Sequence, residues 1–95
     1  RYRLIISTIL NAIGCQVEAE HMLSTGRIDI VASTSRFIYV MELKLSNNGG
    51  LEAAEKQIIS NGYLKPFLAD GRKVIGLAVE LDDMGKGLID WKEVK

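Results

Sequence analysis

The apolar positions change period along the chain, and each change marks an element. In Arg1–Ile13, the residues Leu4, Ile5, Thr8, Ile9, Ala12 and Ile13 recur at three- and four-residue intervals. That is the spacing of one helical face. Gly14 predicts the helix end. From Cys15 to Leu23 the period drops to two, with Cys15, Val17 and Ala19 alternating against Gln16, Glu18 and Glu20. Such alternation predicts a half-buried strand. Ser24-Thr25-Gly26 supplies a turn, and Arg27–Ser33, rich in Ile and Val, is the next strand. Thr34 and Ser35 are the expected turn after it. Arg36–Leu45 contains Phe37-Ile38-Tyr39-Val40-Met41, apolar on both faces, as in a central strand covered on both sides.

Ser46–Gly50 reads as a loop able to cap a helix. That helix is expected from Leu51 to about Leu64, with a stripe of Leu51, Ala54, Ile58 and Ile59 and a Glu52–Lys56 pair. Pro66 is expected to end or kink it. Asp70-Gly71 is a turn, Lys73–Leu81 a strand, Asp82–Gly87 a loop and Leu88–Val94 a short final strand. The predicted order is α-β-β-β-α-β-β. Residues 1–95 form a single α/β domain in which three strands meander and the second helix returns the fourth strand beside the central one. The result is a mixed β-sheet flanked by helices.

Three polar residues break the apolar pattern: Asp29 between Ile28 and Ile30, and Glu42 and Lys44 at the end of the central strand. Glu42 and Lys44, two apart, share a face. With Thr34 and Ser35 as the turn, Asp29 falls opposite Val40, and Glu42 is its diagonal neighbour on the same face. Diagonal positions lie about 7–8 Å apart, close enough for two carboxylates to share an ion. A register slip of one residue would separate them onto opposite faces. Left alone, the two acids would repel and one would hold a proton. A hard cation such as Mg²⁺ (or Mn²⁺) resolves this, because it takes one or two carboxylates and keeps several waters. Water on such an ion is acidified, and Lys44 beside it can orient that water or stabilise charge on a phosphate.

Composition narrows the chemistry. Twelve Lys and Arg balance twelve Asp and Glu, which excludes a globally cationic binder but not a local basic patch. One cysteine, Cys15, and one histidine, His21, exclude a disulfide framework and a Cys/His zinc site within the chain. No apolar run approaches the roughly 20 residues of a membrane span, so no membrane partner and a cytoplasmic location are expected. The acid-x-lysine tripeptide alone is cheap: about one is expected by chance at this composition. The chain holds Glu42-Leu43-Lys44, Asp90-Trp91-Lys92 and Glu93-Val94-Lys95. Only the first closes an apolar strand and follows a strand with an embedded Asp.

Gly26-Arg27-Ile28-Asp29-Ile30-Val31 followed by Tyr39-Val40-Met41-Glu42-Leu43-Lys44 resembles the PD-(D/E)XK nuclease superfamily, with Gln57 and Gly62-Tyr63 adding to the match. The likeness runs from about Tyr2 to Trp91. It is nearest the variant found C-terminal to ATPase-like domains in prokaryotic proteins. The resemblance implies a restriction-endonuclease-like core and a metal-dependent nuclease acting on nucleic acid, DNA first. It implies that Asp29 and Glu42 are metal ligands with the Leu43 carbonyl as a third, that Lys44 is the catalytic lysine, and that Gln57 looks into the site. It also suggests that the chain is the C-terminal part of a longer protein with an ATPase-like domain. Many members carry an acid in the first helix, and Arg1–Ile13 has none. Ile28 stands where the family name has proline.

Each residue also has a plainer reading. Asp29 could pair with Arg27, and Glu42 with Lys44, as strand ion pairs. Gln57 could sit on a solvated helix face, Tyr63 in the packing, and Glu20 on a solvated strand. Arg27, Tyr63 and Glu20 remain candidates for contact with substrate. Lys65, Arg72 and Lys73 form a candidate basic patch, and His21 reads as a surface residue. The alternative function is a catalytically inactive module of the same fold that binds nucleic acid or protein, or that forms a homodimer through a sheet edge.

Overall fold

In the computed structural model, which describes residues 1–95, both helices end in the same way. The first, α1, spans Tyr2–Ala12. Gly14 adopts φ 104°, its N–H donates to Asn11 O, and the Cys15 N–H reaches back to Leu10 O at 3.0 Å. The second, α2, spans Gly50–Ser60. There Gly62 takes φ 62°, its N–H donates to Ile59 O, and the Tyr63 N–H donates to Ile58 O at 3.1 Å. A left-handed glycine with these two backward bonds satisfies the last carbonyls of a helix and stops it. Thus α2 ends four residues before the expected Leu64, at the Asn61-Gly62 step and not at Pro66, which sits in a separate 3-10 turn, Lys65–Phe67.

Five strands form one sheet in the order β1-β2-β3-β4-β5. They are β1 (Gln16–Leu23), β2 (Gly26–Ser33), β3 (Phe37–Leu45), β4 (Lys73–Leu81) and β5 (Leu88–Val94). β3 and β4 are parallel, and the other neighbours are antiparallel. α2 is the crossover that parallel pairing requires. The mixed sheet and two helices agree with the predicted α/β order. No helix is long and apolar enough to cross a membrane.

The β2–β3 turn differs from expectation. Thr34 closes the turn rather than occupying it: its N–H donates to Phe37 O at 2.9 Å. Its hydroxyl accepts the N–H groups of Arg36 and Phe37. Ser35 and Arg36 are therefore the turn residues. Ile30 faces Met41 and Val31 faces Val40, a register two residues away from the one expected. A shift of two preserves face parity.

The principal core lies between the sheet and α2. Ile38, Val40, Ala78 and Val94 from the strands meet Ala54, Ile58 and Tyr63. Burying each of the larger aliphatic side chains contributes about 1.5–3 kcal/mol. The start of α2 is capped from β4, not from its own loop: Glu80 accepts the Leu51 N–H at 3.2 Å and the Ser46 hydroxyl at 2.6 Å.

α1 presents an unexpected face to the sheet. The stripe of Leu4, Ile5, Thr8, Ile9, Ala12 and Ile13 is exposed, and Tyr2, Arg3, Ile6, Ser7 and Leu10 are the half-buried positions. Polar ties set this rotation. The Tyr2 hydroxyl donates to Asp82 O and accepts the Gly87 N–H, while Arg3 reaches acids on β1 and β2.

Candidate active site

β2 changes facing at Asp29. Ile28 and Val31 belong to the same core cluster, although residues three apart on a regular strand point to opposite faces. β1 breaks at the matching place. Ala19 pairs with Ile30 and His21 with Ile28, which leaves Glu20 across from Asp29 outside the regular ladder. Glu20 has φ 57°, the one non-glycine residue with positive φ. Extending the β2–β3 register by one step sets Asp29 across from Glu42. Glu20, Asp29 and Glu42 therefore form a row across three strands. Asp29 and Glu42 are direct cross-strand neighbours rather than the expected diagonal pair.

The ladder between β2 and β3 opens here, and side chains take over its hydrogen bonds. The Leu43 N–H donates to Asp29 Oδ2 at 2.9 Å, and the Asp29 N–H donates to Glu42 Oε1 at 3.3 Å. Glu42 is 2% exposed, the only acid in the buried set. Burial, and then the Asp29 charge, push its carboxyl up to about 7, against the Asp29 N–H and Lys44, which pull it down. Lys44 Nζ stands 3.9 Å from Glu42 Oε2, too long for a strong bond and near enough for charge.

The other candidates divide into two groups. Arg27 bonds Glu20 at 3.0 Å rather than Asp29. Asp29 has instead a 3.5 Å contact with Arg3, which also bonds Glu20 at 2.9 Å. On the α2 side, the Tyr63 hydroxyl accepts from Gln57 Nε2 at 3.0 Å and Asn61 Nδ2 at 3.2 Å, and donates to Arg27 O at 3.1 Å. Tyr63 is fully buried. The helix-ending glycine delivers it there, because Gly62 is followed by a residue that folds back on the last turn. A Cβ on Gly26 would lie 2.6 Å from that hydroxyl, which explains the glycine three residues before Asp29.

An open cleft of about 750 Å³ joins these residues, with Arg27, Asp29, Glu42, Lys44, Gln57 and Tyr63 in its wall. A second cleft of about 650 Å³ on the α1 side shares Asp29, Leu43, Lys44 and Leu45 with it. The structure thus brings Asp29, Glu42, Leu43, Lys44, Gln57, Arg27 and Tyr63 to one place, with Glu20 adjoining through Arg27 and Arg3. No three His, Cys, Asp or Glu side chains converge as a cage. Two carboxylates, one buried and holding its proton to about pH 7, fit a hard divalent ion that takes the rest of its shell from water and main-chain oxygen.

Some expectations fail. Arg72 is committed to Asp70, at 2.7 Å and 2.9 Å, and to Thr34 O, and its guanidinium holds the Asp70 carboxyl below the usual range. It ties the β2–β3 turn and is not a free member of a basic patch. His21 is not a plain surface residue: its ring centroid lies 5.6 Å from that of Phe67 and its Nδ1 2.8 Å from Glu18. Arg3 was not singled out in the sequence, because nothing in a lone helical arginine marks it.

A family model described as the PD-(D/E)XK nuclease superfamily matches residues 1–91. No curated protein matches the chain in sequence. The opened β2–β3 ladder with its facing acids and following lysine, together with a match over nearly all of the chain, leads to one statement of kinship: the chain belongs to the PD-(D/E)XK nuclease superfamily.

Proposed function

We propose that this chain is a divalent-metal-dependent nuclease that hydrolyses nucleic-acid phosphodiester bonds, with DNA as the first substrate to test. The observation that carries this reading is the opposition of Asp29 and Glu42 across an opened ladder, with Lys44 3.9 Å from Glu42. In this reading Asp29, Glu42 and the Leu43 carbonyl hold Mg²⁺ or Mn²⁺. When bound, the ion supplies charge neutralisation at the phosphate and lowers the pKa of a water nucleophile. Asp29 has its carboxylate fixed by the Leu43 N–H and Glu42 has its own fixed by the Asp29 N–H, so neither needs to reorganise.

Lys44 supplies positive charge where negative charge grows on the phosphate. The oxygen of water bonds to phosphorus as the water gives up a proton to solvent, the bond from phosphorus to the leaving sugar oxygen breaks, and that oxygen takes a proton from solvent. Gln57, held by Tyr63 through its amide nitrogen, lines the same cleft, where its amide oxygen would orient water or substrate. Arg27 lines the same cleft, and Glu20 stands beside it at 3.0 Å.

Cleavage of labelled DNA and RNA in Mg²⁺ or Mn²⁺ tests the reading directly. Loss of cleavage in Lys44→Ala, with an unchanged circular dichroism spectrum, supports it. A wild-type chain that binds no divalent ion at millimolar concentration overturns it and leaves the inactive binding module. The net charge of zero favours that second reading, since nucleic-acid grip rises with the number of phosphate contacts.

A further inference from the structure

Arg3 lies outside every motif in the sequence, yet it is the cation at Asp29. Its guanidinium stands 2.9 Å from Glu20 and 3.5 Å from Asp29. Around Asp29 are two further acids on neighbouring strands, and Lys44 pairs with Glu42 rather than with Asp29. The row of three acids therefore draws compensation at its middle member from a helix, not from the sheet.

That compensation is loosely held. A distance of 3.5 Å exceeds that of a strong charge-assisted bond. Arg3 is one third exposed, and α1 contains no buried residue. A single positive charge this close to Asp29 also opposes a second cation there. A divalent ion that binds Asp29 and Glu42 must displace the guanidinium or work against it.

The displaced group has somewhere to go. Arg3, Arg1 and Lys44 line the cleft on the α1 side, which shares Asp29, Leu43 and Lys44 with the α2-side cleft. A guanidinium matches phosphate oxygens through its planar fork of donors. Resting on the nuclease reading above, we propose that Arg3 is an exchangeable counter-cation. It holds Asp29 in the ion-free chain, yields that place to the divalent ion, and turns to a backbone phosphate of the nucleic acid.

Arg36 provides the control, because it is exposed on the β2–β3 turn and lines neither cleft. Calorimetric titration of Mn²⁺ into the full chain at pH 7.5 is the first measurement. Arg3→Gln should bind Mn²⁺ about three- to tenfold more tightly than wild type, the scale of removing one partly exposed charge beside a dication. Arg36→Gln should stay within about twofold, because its charge lies beyond the screening length from the site. Arg3→Lys keeps the charge, should stay near wild type, and serves if the Gln variant is poorly folded.

Binding of a DNA duplex is then measured against salt with Mn²⁺ at saturation, in the Lys44→Ala background that the nuclease reading expects not to cut. Adding Arg3→Gln should reduce the log–log salt slope by about one, the signature of one lost phosphate contact. Unchanged Mn²⁺ affinity in a folded Arg3→Gln, or a tightening shared by Arg3→Lys, overturns the exchange. An unchanged salt slope overturns the phosphate contact. Absence of Mn²⁺ binding to wild type overturns the nuclease reading itself, and the two failures are thereby told apart.

Discussion

The main-chain N–H of Asp29 donates to the carboxylate of Glu42 at 3.3 Å, so one acid of the site is held by the backbone of the other. The reverse tie runs from the Leu43 N–H to Asp29 at 2.9 Å. Two strands that separate at this point leave polar groups to be satisfied, and the acids satisfy them. The same residues that propose metal chemistry therefore also close the sheet where it opens.

Glu42 makes the free chain pH-sensitive. Folded, it keeps its proton up to about pH 7, whereas the unfolded residue loses it near 4.5. Between those values the native state binds more protons, so stability falls as pH rises through the window and is flat above it. The full loss is at most ~3 kcal/mol. Glu42→Gln should remove this slope and be more stable than wild type at pH 7.5, with little difference near pH 4.5. Urea denaturation at the two pH values, without divalent ions, checks it; equal slopes in both proteins would refute it.

Charge and hydrogen bonding at Asp29 are separable. Asp29→Asn keeps an acceptor for the Leu43 N–H but removes the charge that helps to raise Glu42. It should fold normally and bring the Glu42 titration down, followed by carboxyl NMR shifts. Asp29→Ala leaves a main-chain donor without its partner and should cost about 1–3 kcal/mol. A stable Asp29→Ala would show that the Leu43 amide finds water instead.

Tyr63→Phe deletes one hydroxyl that accepts from Gln57 and Asn61 and donates to Arg27 O. Loss of about 1–3 kcal/mol is expected, together with a drop in any cleavage rate from a mobile Gln57. Thermal melts and single-turnover assays separate the two effects. Wild-type cleavage with lowered stability would limit Tyr63 to a structural role.

Gly26→Ala brings a methyl to 2.6 Å from the same hydroxyl. That contact forces Tyr63 or the β1–β2 hairpin to move, at a cost of about 1–3 kcal/mol. The double variant Gly26→Ala with Tyr63→Phe should be less destabilised than the sum of its parts. Strict additivity in denaturation midpoints would show that the glycine serves something else.

The strand order and the shared face of Glu42 and Lys44 were legible because alternation and a two-residue spacing determine them, whereas the change of facing at Asp29 breaks that alternation. The turn was not. Thr34 suits a position inside a turn by propensity, and equally one beside it, where its hydroxyl accepts two amides. The resulting slip of two residues left the parity intact, which is why the acids still met. The facing of α1 was ambiguous because Ile6 and Leu10 are as apolar as Ile5 and Ile9. The choice was made by Tyr2 and Arg3, whose partners lie far away in sequence. The true end of α2 did carry a signal in Asn61-Gly62, outweighed in the reading by Pro66. The left-handed backbone at Glu20 carried none, because an alternating strand does not mark it.

α1 has consequences beyond its contact with Asp29. It turns Leu4, Ile5, Ile9 and Ile13 outward, buries no residue and leans on a few polar ties. Such an element opens at lower free energy than the sheet, and its amides should exchange with deuterium ahead of those of β3 and β4. If its opening carries Arg3 away from Asp29, fraying of this helix and uptake of a divalent ion are linked. Mild urea that loosens α1 without melting the sheet would then strengthen ion binding, the reverse of what denaturant does to an ordinary site.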